Sequence, residues 1–502
     1  MKRIIKGILL AGVATIAALI ISFLVLVALP VPPPPTPIQS SGSLAITDVS
    51  VIDTETGQVI SEQTVVIENG RIANMGHKDD LPIPENARQI DVAGKYLIPA
   101  LWDMHVHQGF NLSPQLSMPL FIAAGVAYVR DLGASASLEQ KKLWHKQVET
   151  GELLGPRIMA QAGPLISRIM NDARARQIVN SIVDPQTDFV KVLNRVLPGP
   201  FFTLLEIANQ QGVAVLGHRP RAVKAVDAAN AGFKSFEHAR LFLFECYPGA
   251  QDLREQYRRR TAGESTSQGR NITTATMREM IDNHDPELFI ELVTAMVANN
   301  TWFCPTHITR KMDAFADDDE FRNDPRLRYS HFLVRIGWQG DADRMIARDP
   351  SPQGRKAFMD FYLKGLELTG EAHRAGVKIL AGTDANDSYC IPGFGMHDEL
   401  QELVKAGLTP LDAIKAATVN PAEYFGRSVD YGSVAVGKIA DLVLLEANPL
   451  TDISNIAKIN SVIFGGNVYT REDLDNLLYQ VEQNASSWSI AAKLIWQKIG
   501  GG

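Results

Sequence analysis

Tyr96-Leu-Ile-Pro-Ala-Leu-Trp-Asp-Met-His-Val-His107 is an apolar run ending in two histidines at i and i+2. Successive side chains of a strand point to opposite faces, so His105 and His107 share one face. Two imidazoles side by side make half a metal site, although a lone His-x-His is also met as a pair of ordinary, partly buried residues. Further candidate ligands follow at Lys191, His218, His238 and Asp384, each at or near the end of a short apolar run.

Working outward, the region around these residues alternates short apolar runs with helical patterns, which favours a parallel sheet. Strands are expected to end at His107, Arg130-Asp131, Gln161, Lys191, His218, His238, Thr306 and Asp384. Eight strands of this kind suggest an α/β chain folded as a (β/α)8 TIM barrel, whose active-site residues gather at the C-terminal strand ends. Residues 96–427 would form it.

Residues 44–95 carry β-branched runs with turn signals, including Asn69-Gly70, a strong hairpin signal. Similar runs return within 428–470, so a small β-sandwich domain built from both ends of the body is expected to bracket the barrel. Residues 471–502 read as a helical tail, packed on the barrel or on a neighbouring chain, with membrane-surface contact as the alternative. Two charged insertions, 251–270 and 313–355, follow barrel strands and are candidates for a lid.

Ahead of the body, Lys2, Arg3 and Lys6 precede an almost unbroken apolar run from Ile8 to Leu29. It is longer than the ~7–15 residues of a cleavable signal core, and long enough to cross a bilayer. Residues 1–29 therefore read as a transmembrane signal anchor, with the basic end in the cytoplasm and the body extracytoplasmic, periplasmic or at the cell surface. Secretion after signal cleavage is the alternative. Pro30, Pro32 to Pro35 and Pro37 then give a semi-rigid linker over 30–43.

The net charge of −7 and the lack of a long basic block argue against a nucleic-acid partner. Three cysteines, Cys246, Cys304 and Cys390, are widely spaced and odd in number, so disulfides are not the main source of stability.

The ordered set Gly94-Lys-Tyr-Leu-Ile-Pro-Ala-Leu-Trp-Asp-Met-His-Val-His, Gly125-Val-Ala-Tyr-Val-Arg-Asp-Leu-Gly, Phe236-Glu-His-Ala, Gly376-Val-Lys-Ile-Leu-Ala-Gly-Thr-Asp-Ala, Gly407-Leu-Thr-Pro-Leu-Asp-Ala-Ile-Lys-Ala-Ala-Thr-Val-Asn-Pro-Ala and Gly437-Lys-Ile-Ala-Asp-Leu-Val-Leu-Leu resembles the amidohydrolase superfamily of metal-dependent hydrolases. The prolidase-like and imidazolonepropionase-like members are the nearest. The resemblance implies two divalent ions, zinc by default and manganese or cobalt otherwise. His105, His107 and Asp384 would hold one ion, His218 and His238 the other, and a carbamate on Lys191 would bridge them.

A lysine ammonium repels cations, whereas carbon dioxide added to the neutral amine gives an anion that two dications can stabilise. A water bridging the ions would lose its proton near neutral pH and attack, with Asp384 passing the proton to the leaving amine. Deaminases of the superfamily usually carry a Glu three residues after the fifth-strand histidine. Here Arg219, Pro220 and Arg221 follow His218, which with Lys191 argues against a mononuclear deaminase.

For the substrate, Arg219 is a candidate partner for a carboxylate or simply a solvated arginine. Tyr247 enters the pocket or only packs, and His307 meets the leaving group or is structural. His397 and Glu399 read as support for the loop after the eighth strand, and Asp131 as a neighbour of the metals or a plain turn residue. The reading is a binuclear hydrolase of C–N bonds in small substrates: a dipeptidase, especially Xaa-Pro, or an N-acyl amino acid amidase, with homo-oligomers possible in principle. Lactone or organophosphate ester hydrolysis on the same site is the alternative, and a metal-containing binding module without turnover is another.

Overall fold

The computed structural model describes residues 2–38, 42–108, 112–133, 136–163, 165–169, 171–182, 187–264 and 272–499. The fold is α/β. Its strands are β1 (Leu44–Ile52), β2 (Val59–Glu68), β3 (Arg71–His77), β4 (Arg88–Asp91), β5 (Tyr96–Pro99), β6 (Leu101–Val106), β7 (Val126–Asp131), β8 (Arg157–Gln161), β9 (Ile166–Ile169), β10 (Phe189–Val196), β11 (Ala214–Gly217), β12 (Ser235–Glu237), β13 (Trp302–Cys304), β14 (Leu442–Leu445), β15 (Ile459–Phe464) and β16 (Asn467–Tyr469).

Strands from both ends of the body share one mixed sheet in the order β16-β15-β14-β5-β1-β2-β3, with β4 beside β1. The β2–β3 hairpin turns at Asn69 and Gly70, both at positive φ (50° and 70°), as the tight primed turn of this dipeptide requires. Tyr96–Pro99, expected at the start of the alternating region, hydrogen-bonds instead with β1 and β14. The chain changes sheet at Ala100. Alternate residues of these strands, among them Leu44, Ile46, Leu97, Leu442 and Ile463, pack into a core of their own.

The strands between pair in parallel, β6-β7-β8 and β9-β10-β11-β12-β13. Single bridges join the two sets: Ala162 to Phe189, Phe303 to Ile379 and Val106 to Ala385. Backbone bonds from Met104 N to Ala381 O and from Asp384 N to His105 O (2.9 and 2.7 Å) tie the 377–385 segment beside β6. β6, β7, β12 and β13 read as continuous buried runs, the pattern of a parallel sheet covered on both faces.

Three strand expectations need correction. Lys191 is not at a strand end, because β10 continues to Val196 beside β9, which the sequence reading missed, with a register shift between Val192 and Arg195. The expected eighth strand makes only isolated bridges at Ile379 and Ala385. β13 stops at Cys304, before Pro305, which has no N–H to donate.

The tail is helical at Arg471–Ala485 and Trp488–Lys498. A capping box between Thr470 and Asp473 starts the first helix, and Val481 packs with Leu120 and Tyr329. The 313–355 insertion contains helices Asp319–Arg322 and Phe332–Arg348 and the start of Pro352–Arg374. Of the 251–270 insertion, residues 265–270 lie outside the described residues; the rest is mostly helix Ala250–Ala262.

Helix Lys2–Ala28 contains a span, Ile4–Ala28, of mean hydropathy 2.8 that is not buried by the rest of the chain. By length and composition it suits a membrane anchor or a signal sequence.

Candidate active site

At the ends of β6, β11 and β12, within β10 and at the close of the 377–385 segment, the structure brings six side chains together. His105 and His107 leave the same face of β6. Asp384 faces them, its Oδ1 2.9 Å from His107 Nε2 and 3.3 Å from His105 Nε2. Lys191 Nζ lies 3.2 Å from His105 Nε2 and 3.3 Å from His107 Nε2. His218 and His238 meet through their Nε2 atoms at 3.0 Å, and His238 Nδ1 stands 3.6 Å from Asp384 Oδ2. Ring nitrogens and a carboxylate thus point at shared space rather than each finding its own donor.

Backbone at this junction is held in unusual geometry. His238, Thr306 and Asp384 adopt φ of 76°, 47° and 59°, a region that costs a residue with a Cβ about 1 kcal/mol or more. Hydrogen bonds from His238 N to Cys304 O (2.9 Å) and from Asp384 N to His105 O (2.7 Å) hold it there. Gly217 is required one residue before His218: at φ 127°, a Cβ would lie 2.5 Å from Val192 O.

A second layer orients the imidazoles. His105 Nδ1 is 2.8 Å from Glu237 Oε2, which directs Nε2 at the centre. Glu237 in turn receives Arg130 Nη2 (2.7 Å) and Ser235 Oγ (2.6 Å), and Arg130 Nε donates to Met104 O (2.6 Å). His107 Nδ1 bonds Gly133 O, His238 Nδ1 is 2.9 Å from Thr306 Oγ1, and His218 Nδ1 is 3.2 Å from Asn194 Oδ1. Asp103 accepts from His105 N, Thr383 N and Thr383 Oγ1, stitching β6 to the segment that carries Asp384.

Burial sets the charge states. It pushes His105 down to about 4, with the Lys191 amine adding to the effect, and holds His218 and His238 well below the usual imidazole range. Burial lowers Lys191 to about 8 against the pull of Asp384 and Glu237. It would raise Asp384 and Glu237, but the imidazoles of His105, His107 and His238 hold Asp384 well below the carboxylate range, and Arg130 and His105 hold Glu237 at about 2. Neutral imidazoles, an ionised carboxylate and a lysine with an accessible neutral amine are a donor set that fits divalent cations. His105, His107 and Asp384 place their ligand atoms within 4.8 Å of one another, as do His105, Glu237 and Cys304.

Five of the six, all but the fully buried His105, open on a cavity of about 520 Å³ lined also by Leu165, Leu193, Asn194, Arg219, Arg221, Glu237, Arg240, Leu241, Phe244, Arg310, Asn386 and Asp387. Arg219 sits at its wall with its guanidinium already engaged by Glu245 (2.9 Å) and by the carbonyls of Pro220, Arg221 and Val223. Two residues on, Arg221 lies over the Tyr257 ring (4.9 Å) and, among the described residues, forms no ion pair. Arg240 and Arg310 both reach Asp313.

Two expected substrate contacts are corrected. Tyr247 is buried and lines a separate cavity with Lys224, Glu245 and Arg254, because helix Leu241–Glu245 carries the chain away from His238. His307 is fully buried, its Nε2 3.0 Å from Thr369 Oγ1 and its backbone N bound by Glu399, so it does not line the central cavity. Glu399 caps helix His307–Phe315 from below, His397 bonds Ala124 O, and Asp131 pairs with Lys141 and accepts from Gly133 N.

A model of the amidohydrolase family matches residues 342–469, the stretch that contains Asp384 and β14 to β16. Over that stretch the chain is similar to the amidohydrolase family.

Ochratoxinase of Aspergillus niger is 41% identical over 100 residues, 20% of this chain and 19% of ochratoxinase. Adenine deaminase 2 of Rhizobium johnstonii is 36% identical over 104 residues, 21% of this chain and 16% of the deaminase. The matched stretches thus span less than a fifth of these relatives. Among solved structures, a bottromycin amidohydrolase superposes with a TM-score of 0.68 at 20% identity, covering 89% of this chain and 91% of its own. A Xaa-Pro dipeptidase with bound methionine gives 0.58 at 19%, covering 86% and 100%. At such identities these structures show that this chain shares their fold.

Proposed function

We propose that this chain is an amidohydrolase, a binuclear-metal hydrolase of C–N bonds in small substrates that carry a carboxylate, and a dipeptidase of the Xaa-Pro kind or an N-acyl amino acid amidase. The convergence of His105, His107, Lys191, His218, His238 and Asp384 at one cavity carries this reading. His105, His107 and Asp384 would hold one ion, His218 and His238 a second, and Lys191, as its carbamate, both. Such ions supply a polarised carbonyl and a more acidic water. Asp384, kept ionised, accepts the water's proton and returns it to the departing nitrogen. Glu237 keeps the His105 ring in register through Arg130. Arg221, rather than Arg219, is free to take the substrate's carboxylate in a two-pronged contact.

The same reading covers the architecture. The parallel strands, joined through the 377–385 segment, act as a (β/α)8 barrel, and the mixed sheet is a separate β domain formed by both ends of the body. Residues 1–29 anchor the chain in a membrane, and the body faces away from the cytoplasm. The test uses the full chain, loaded with Zn²⁺ or Mn²⁺ in bicarbonate and incubated with pooled Xaa-Pro and other dipeptides, N-acyl amino acids and lactones, read by mass spectrometry. Cleavage of a C–N bond that stops on chelation is expected. Opening of lactones alone, or silence across the pool with metal verified, would overturn it.

A further inference from the structure

The tail helix Trp488–Lys498 does not stand apart from the apolar N-terminal helix. Trp496 meets Phe23 with ring centroids 6.3 Å apart, and Lys493 Nζ donates to Val27 O at 2.6 Å. Phe23 lies five residues before Ala28, about 7.5 Å along a helix. The tail helix therefore runs beside the last turns of the Ile4–Ala28 span, at the level where that span would leave the hydrocarbon.

Its outward face is apolar. Trp488 is 69% exposed, Ile495 41% and Ile499, just past the helix end, 66%, and spacings of seven and eleven residues at 3.6 residues per turn place Ile495 and Ile499 about 20° to either side of Trp488. Ile490, on the opposite face, is buried, as are the small Ala491 and Ala492 beside the exposed side chains. The patch continues onto a neighbour: Trp488 packs on Phe332 (5.0 Å), and Ile336, one turn further along helix Phe332–Arg348, is 61% exposed. Tryptophan and lysine flanking isoleucine beside the end of an apolar span is the composition of a membrane–water boundary.

We propose that this face, Trp488, Ile495 and Ile499 with Ile336, docks on the bilayer surface around the exit of the N-terminal span, so that the body is seated on the membrane rather than held off it by the Pro30–Pro37 segment. The occupant is lipid because the patch adjoins the end of the span that would cross the bilayer; a second copy of the chain is the competing occupant. The proposal rests on the anchor reading of residues 1–29.

The experiment places single thiols in the full chain at Ile495→Cys, Ile336→Cys and, as a remote control, Val429→Cys, whose valine is 86% exposed. The native Cys246, Cys304 and Cys390 are buried, so an environment-sensitive dye goes to the introduced thiol. After reconstitution into phosphatidylcholine vesicles with brominated acyl chains, the expected result is blue-shifted, quenched emission at 495 and 336 and unshifted, unquenched emission at 429. Flotation of the protein with the vesicles while positions 495 and 336 behave as 429 leaves the anchor standing and overturns the docking. A blue shift that brominated lipid does not quench assigns the face to a second copy and overturns it too. Failure to float overturns the anchor and, with it, the docking.

Discussion

At the floor of the cavity, His105, His107 and Asp384 stand where β6 and its neighbouring segment end, and every one of them is gripped from behind, by Glu237, Gly133 O or the His105 carbonyl. At the rim, Arg221 and Arg240 stand on the connections after β11 and β12, and Arg310 on the first helix after β13; Arg240 and Arg310 lean on Asp313, while Arg221 lies on an aromatic face and, among the described residues, pairs with no carboxylate. The contrast separates two tasks. Ligands and a base must be preorganised, because a shift of a fraction of an ångström changes coordination, whereas a group that recognises a substrate's charge can wait in solvent until the substrate arrives.

The largest way to break the contrast is Asp384→Asn. Turnover should fall on the order of a thousandfold, the contribution of a positioned general base, with the far-ultraviolet dichroism of the fold unchanged; near-normal turnover removes Asp384 from its role. Glu237→Gln should cost about 10–100-fold in metal affinity, measured by chelator competition, because it loosens His105 and leaves Arg130 short of a buried partner. Arg221→Ala should raise KM for carboxylate-bearing substrates by about tenfold, the worth of a charge-assisted contact, and leave kcat and metal content alone. If kcat falls instead, the rim and floor are not separate.

A fourth test reads stability in chelated protein. Burial lowers His105 from 6.5 to about 4 in the fold, so on acidification the unfolded chain takes up this proton before the folded one does. The lowered value makes the contribution of His105 fullest above pH 6.5 and lost as pH falls toward 4. Relative to His105→Gln, the chain's denaturation midpoint should therefore decline across that window. A parallel pair of curves would mean that His105 keeps its ordinary affinity for protons.

The floor was legible in the sequence because a period of two and a polar residue closing an apolar run say both which face and which end a side chain occupies. His105, His107, His218 and His238 follow that rule. Lys191 lies within its strand, since nothing in Val192-Leu-Asn-Arg-Val announces that β9 will extend the pairing. The rim was less legible because a connection has no period. Tyr247 and His307 lie near site residues in the chain, yet a short helix and a buried cap turn them elsewhere. Arg219 is adjacent to His218, and a period of two puts Arg221 on the face of Arg219, so the sequence offers no signal that separates the two arginines. The family model, which covers residues 342–469, likewise leaves these arginines outside.

The central claim is that the six converging side chains bind a pair of divalent ions with Lys191 between them. Its most direct measurement is the metal-to-protein ratio of the full chain after loading with Zn²⁺ in bicarbonate and removal of free metal, beside the Lys191→Ala variant. The account predicts about two ions per chain and a marked loss in the variant, with the fold retained. About one ion in both proteins would contradict it, leaving Lys191 a buried lysine beside a single-metal site.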